Sequence, residues 1–199
     1  MAMNSESGNT VMKLWLLMHR VHDALVLCED SLFREYGLTM EQFGLLATLK
    51  GSGGSLRPVD LALLLERSPN SVSMLVDRMV KAGLVRRTRD RKDRRTVNVA
   101  LTSKGEKALG SAMPAGWEFI QKTLSRLAYE DKHTLADLLE TMKCEFLAYL
   151  KPEVDRAVIS KNSVTNRPDL YKTYQRVMRD VLPSGPDAES QVAKRKKAR

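Results

Sequence analysis

Thiol and imidazole chemistry is scarce in this sequence. Its 199 residues include only two cysteines, Cys28 and Cys144, and three histidines, His19, His22 and His133. Two thiols are too few for a disulfide framework, and the five residues show no zinc-ligand spacing. Neither a metal nor a cofactor is expected. Catalytic motifs are missing as well: there is no Gly-rich phosphate loop, no G-x-S-x-G and no H-E-x-x-H, so the reading is of a protein that is not an enzyme. No run approaches the ~18 consecutive apolar residues of a membrane span. The first eight residues lack the basic start and apolar core of a signal peptide, so a cytoplasmic location without a membrane partner is expected. No internal repeat is visible.

What the chain does have is positive charge, unevenly placed. Lys and Arg number 33 against 24 Asp and Glu, a formal net charge of +9, which favours an anionic partner. Residues 86–95 alone hold Arg86, Arg87, Arg89, Arg91, Lys92, Arg94 and Arg95 against Asp90 and Asp93, so +5 of that charge lies within ten positions. Apolar residues make up 43% of the chain, enough for a real core.

The hydrophobic period is helical over most of the sequence. From about Asn9 to Tyr36, residues Val11, Leu14, Trp15, Met18, Val21, Leu25, Cys28 and Leu32 recur at steps of three and four, and Gly37 ends the pattern. Thr39 and Gln42 have the form of a capping box for a second helix, with Phe43, Leu46 and Leu49 on its buried face. The stretch G-S-G-G-S that follows reads as a loop. Pro58 opens a short third helix with Leu61, Leu64 and Leu65 on its apolar side. Ser68 and Pro69 are the cap and first turn of a fourth, in which Val72, Leu75, Val76 and Met79 share one face and Asn70, Met74, Asp77, Arg78 and Lys81 lie broadly opposite.

After Gly83 the period changes to two. Residues 84–89 and 96–101 read as the strands of a hairpin joined by the charged turn. Thr102 or Ser103, the latter with Glu106 as a capping box, begins another helix to about Leu127, in which Pro114 and Gly116 predict a kink. A last amphipathic helix is expected over 131–150. Residues 151–199 carry four prolines and end in K-R-K-K-A-R, a mark of weaker order, although Leu170, Tyr174, Val177, Met178 and Val181 keep a helical period over 168–182. The fold class is therefore mainly α with a small β-hairpin wing, a winged helix-turn-helix with flanking helices.

Three stretches, S-P-N-S-V-S-M-L-V-D-R-M-V-K-A-G-L-V at 68–85, D-R-K-D-R-R at 90–95 and V-A-L-T-S-K-G at 99–105, resemble the MarR family of winged-helix transcription regulators over about residues 10–150. The resemblance implies a homodimer on double-stranded DNA, with both lobes meeting one palindromic operator. It divides the chain into a flexible 1–8, a dimerisation helix 9–36, a DNA-binding lobe 37–101, dimerisation helices 102–150 and a basic extension 151–199 that is partly helical or disordered. The apolar stripes at both ends agree with a dimer, since leaving them in water costs about 25 cal/mol per Å².

For the DNA contacts, the major groove admits an α-helix whose N-terminal side chains reach base edges. Pro69, Asn70, Ser71, Ser73 and Met74 occupy that end of the fourth helix, and Arg78 one turn on suits a phosphate. Local backbone capping is the competing use of Ser71 and Ser73. The wing tip, which family members insert in the minor groove, supplies Arg91, Lys92, Arg94 and Arg95, with Asp90 and Asp93 shaping the turn. Arg95 matches the arginine of the family's D-x-R wing motif.

Family members often respond to a small-molecule effector bound between the dimer helices and the lobe. Trp15, His19, His22 and Phe43 are candidates for lining that cleft, with ordinary helix surface or dimer contact the competing account of the histidines. The early-helix cysteine that senses oxidants in some relatives is absent. Cys28, on the apolar stripe, is expected to be a buried structural thiol, and Cys144 a similar one with somewhat more exposure.

Two departures from the family pattern stand out. Arg57 occupies the helix-cap position usually given to a small hydroxyl residue, and the extension 151–199 has no counterpart. A dimer clamp, added DNA affinity, a protein-docking site and a solubilising tail are all open for that extension. Repression by blocking a promoter is the leading function; activation, and a non-specific DNA-binding or chromatin-structuring role, are the alternatives.

Overall fold

The computed structural model describes residues 5–89, 96–150 and 152. Helix α1 (Ser5–Arg34) is followed by α2 (Met40–Gly51), β1 (Ser55–Leu56), α3 (Pro58–Leu64), α4 (Pro69–Lys81), β2 (Val85–Arg89), β3 (Val97–Leu101), α5 (Ser103–Leu124) and α6 (Tyr129–Leu150). The three strands form one antiparallel sheet in the order β1-β3-β2, with Arg87 opposite Val99 and Ser55 opposite Ala100. The architecture is mainly helical with a small wing sheet.

Local chemistry sets most of the boundaries. Thr39 Oγ1 accepts from the Gln42 N–H at 3.2 Å while Gln42 Oε1 accepts from the Thr39 N–H at 3.0 Å, the reciprocal box that starts α2. Ser68 Oγ accepts from the Ser71 N–H at 3.1 Å, and Pro69 takes the first position of α4. At the far end of α4, Gly83 adopts a left-handed φ of 72° and the Leu84 N–H returns to the Met79 carbonyl at 2.9 Å. The turn between α3 and α4 closes the same way on a residue that is not glycine: Glu66 has φ 51°, and the Arg67 N–H bonds the Ala62 carbonyl at 3.0 Å. Glu66 Oε1 also accepts from Lys143 Nζ on α6 at 2.7 Å.

The core lies in the lobe. Leu45, Leu46 and Leu49 of α2, Leu61 of α3, Val72, Val76 and Met79 of α4, Val85 and Val99 of the sheet and Leu109 of α5 are fully buried together. Only the C-terminal end of α1 joins them, through Phe33. Further up α1, Val11, Leu14, Trp15, Leu16, Leu17, Val21, Leu25 and Leu27 are exposed, and α6 has no buried residue among Leu135, Leu138, Leu139 and Phe146.

Several expectations are corrected. The G-S-G-G-S loop runs into a two-residue strand, β1, so the hairpin is two thirds of a sheet: Ser55 and Leu56 pair with β3, some 45 residues on. α1 begins at Ser5 rather than Asn9, and α6 at Tyr129 rather than Asp131. Thr102 caps α5, accepting from the Gly105 N–H at 3.1 Å, and Ser103 is already helical, so its box with Glu106 does not form. Glu106 instead receives Lys50 Nζ at 3.0 Å. α5 contains Pro114 within its span, as expected, and lacks one backbone donor there. Cys28 is exposed and Cys144 half-buried, the reverse of the expected order, because no other described element covers that stretch of α1. The expected helix at 168–182 lies outside the described residues.

Candidate nucleic-acid interface

α4 presents two unlike faces. Val72, Leu75, Val76 and Met79 are buried against α2, α3 and the sheet, which fixes the roll of the helix. The opposite side therefore has to face outward: Pro69, Asn70, Ser71, Asp77, Arg78 and Lys81 are exposed, Met74 is 61% exposed, and Ser73 is half-buried. Ser71 is partly used by the cap, its hydroxyl 2.8 Å from Ser68 Oγ. The structure thus brings Asn70, Met74 and Arg78 onto one surface and gives Ser71 a local task.

Charge on that surface is organised by pairs. Arg87 of β2 donates to Asp77 Oδ1 of α4 at 2.6 Å, clipping the wing sheet to the helix. Glu41, in the first turn of α2, accepts from Arg67 Nη1 at 2.5 Å and lies 3.5 Å from Arg78 Nη2. Arg86, Arg89 and Lys81 are exposed as well. Arg57 caps nothing: its guanidinium donates twice to Asp60, at 2.7 and 2.8 Å, and those bonds hold the Asp60 carboxyl below its ordinary pKa. No local sequence pattern marks Arg67 or Glu41 as partners, although Arg67 directly precedes the Ser68 cap and Glu41 lies inside the Thr39 box.

The wing-tip residues Asp90, Arg91, Lys92, Asp93, Arg94 and Arg95 lie outside the described residues. The four candidate cleft residues do not form one cluster. Trp15 and His19 meet edge to face, their ring centroids 4.8 Å apart, and Trp15 approaches Phe146 of α6 at 6.5 Å. His22 sits on exposed helix surface beside Asp23, at 3.5 Å. Phe43 stacks on Phe33 at 4.0 Å, roughly 27 Å further along α1 from Trp15 at 1.5 Å per residue. Among the described residues, no group of three His, Cys, Asp or Glu is placed to hold a metal ion, and no helix is long and apolar enough to cross a membrane.

A lobe of this geometry is similar to those of known regulators. The model of the MarR family matches residues 36–96. The transcriptional regulator HosA of Escherichia coli is 31% identical over 108 residues, a match covering 53% of this chain and 77% of HosA. The chain belongs to the MarR family. The transcriptional repressor MdtR of Bacillus subtilis is 32% identical over 95 residues, 48% of this chain and 61% of MdtR, so this match leaves more than a third of that relative unspanned. Among solved MarR structures, AbsC from Streptomyces coelicolor superposes with a TM-score of 0.65 at 25% identity, covering 74% of this chain and 98% of AbsC. A mutant MarR from E. coli, complexed with operator DNA, does so with a TM-score of 0.56 at 27% identity, covering 67% of this chain and 96% of that one. As a MarR-family winged helix-turn-helix protein, this chain is a DNA-binding transcriptional regulator and not an enzyme.

Proposed function

We propose that the protein is a homodimeric repressor that occupies a palindromic operator in double-stranded DNA and is released by a small-molecule effector. One observation carries the DNA-contact part: α4 buries Val72, Leu75, Val76 and Met79 and so must expose Asn70, Met74 and Arg78. Asn70 pairs with adenine, Met74 packs on a thymine methyl and Arg78 meets a phosphate. The basic turn at Arg91, Lys92, Arg94 and Arg95 is a second contact, in the minor groove, with Asp90 and Asp93 shaping it.

The dimer is supported by apolar surface the lobe does not cover. Val11, Leu14, Leu17, Val21 and Leu25 of α1 recur at helical spacing and are exposed, as are Leu135, Leu138 and Leu139 of α6. Each such side chain gains about 1.5–3 kcal/mol when fully buried. A second copy of α1, α5 and α6 supplies that cover and sets two α4 helices about one DNA turn, roughly 34 Å, apart. For the effector, Trp15 and His19 are the pair the fold brings together.

The test is a gel shift on the DNA upstream of the gene itself against scrambled duplex of equal length. The operator is bound at least ~10³-fold tighter than random duplex, with a steep salt dependence and two protomers per site. Equal affinity for both sequences would replace this reading with the non-specific DNA-binding one.

A further inference from the structure

Glu41 joins three parts of the lobe through one carboxylate. It belongs to the first turn of α2, yet its two oxygens face Arg67, the residue before the Ser68 cap of α4, and Arg78, in the last turn of α4. Arg78 lies roughly 13 Å along α4 from its first residue at 1.5 Å per residue, yet its guanidinium and that of Arg67 both approach the same carboxylate, at 3.5 and 2.5 Å. The side chains are 39% exposed for Glu41, 46% for Arg67 and 64% for Arg78, so none is a core element. Exposed ion pairs of this kind add little to fold stability. Stability is therefore a weak account of why this acid sits between two arginines.

Against a phosphate backbone, a carboxylate here reduces attraction to every DNA sequence alike. Holding two guanidiniums in set directions acts differently: it removes rotamer freedom that binding in a single register would otherwise have to remove. We propose that Glu41 is a positioning residue for DNA recognition, orienting Arg67 and Arg78 and lowering non-specific attraction, so that it raises discrimination between operator and random sequence. The inference rests on the reading that α4 faces DNA. It makes Arg67 a backbone contact alongside Arg78 and gives α2 a share in specificity without touching a base.

The test compares wild type, Glu41→Gln and Glu106→Gln in full-length protein, each titrated with operator and random duplex over a salt series. Glu41→Gln keeps the shape of the side chain and removes its charge. Its affinity for random duplex rises, the salt slope for random duplex steepens by about one unit, and the operator-to-random ratio falls about tenfold. Glu106→Gln removes the same charge from an exposed pair with Lys50 and touches neither arginine; it leaves the ratio within about twofold of wild type. A ratio unchanged in Glu41→Gln, or one that falls equally in Glu106→Gln, would overturn the positioning role. A wild-type protein with no operator preference would overturn the regulator reading first, and this inference with it.

Discussion

Gly105 is the position where a single methyl group tests the packing of the lobe most sharply. It is the third residue of α5, in T-S-K-G, and its N–H bonds the Thr102 cap. A Cβ at this position would lie 2.1 Å from the Leu84 carbonyl oxygen, 3.1 Å from its carbon and 3.2 Å from Leu46 Cδ2. The shortfall against ordinary contact is roughly 1 Å, and the obstructing atom is backbone, which cannot rotate away. The Leu84 carbonyl also accepts from the Thr102 N–H at 3.3 Å and from Thr102 Oγ1 at 3.0 Å, so moving it strains the junction of α4, β2 and α5. Overpacking costs about 1–3 kcal/mol, and a weakened pair of hydrogen bonds about 0.5–1.5 kcal/mol each. The better helix propensity of alanine offsets about 1 kcal/mol. Gly105→Ala should therefore lose about 2–4 kcal/mol in urea unfolding followed by circular dichroism at fixed protein concentration. At about 2–4 °C per kcal/mol for a chain of this size, the melting temperature falls by roughly 10 °C. Gly110→Ala in the same helix meets nothing within 4 Å and should be neutral or more stable by up to ~1 kcal/mol. A Gly105→Ala protein within about 0.5 kcal/mol of wild type, or an equal loss at Gly110, would refute the contact.

Two further outcomes follow from local chemistry. Ser68→Ala removes the side chain that caps α4 and the partner of the Ser71 hydroxyl, and should cost about 1 kcal/mol of stability in the same urea assay; an unchanged midpoint would contradict the cap. Burial, and then the adjacent Asp30 carboxylate, raise the pKa of Glu29 above its ordinary value. The folded state then holds that proton more tightly than the unfolded state, so stability falls as pH rises from the ordinary carboxylate range through the raised value. Glu29→Gln removes this decline: thermal melts should show it gaining on wild type between about pH 3.5 and pH 7, and a constant difference across that range would contradict the assignment.

What sequence reasoning recovers, and what it misses, divides by sequence distance. The Thr39 box, the Ser68 cap and the buried face Val72, Leu75, Val76 and Met79 depend on neighbours three or four residues away, and all are as the pattern implies. β1 depends on Ala100 and Val99 and is too short to show a period of its own. The competition between Thr102 and Ser103 for the α5 cap is decided by the Gly83 and Leu84 carbonyls, which accept from the Thr102 hydroxyl at 2.7 and 3.0 Å. Periodicity placed Cys28 on an apolar stripe, but a stripe identifies which residues share a face, not what covers it; within one chain that face is open. The Glu41, Arg67 and Arg78 cluster spans 26 and 37 positions, beyond any local pattern. For the candidate interface, the exposed face of α4 is legible because its opposite face is apolar, whereas no local pattern shows that Phe43 and Trp15 meet different neighbours.

The central claim is that the exposed face of α4 reads a defined DNA sequence as part of a dimer. Sequencing the DNA that the protein retains in cells addresses it most directly. The expected result is a small set of fragments sharing one palindromic element, with half-sites about one helical turn apart and lost when Asn70 and Met74 are both replaced by alanine. Retained DNA spread evenly over the genome, or the same element enriched by that double variant, would contradict it.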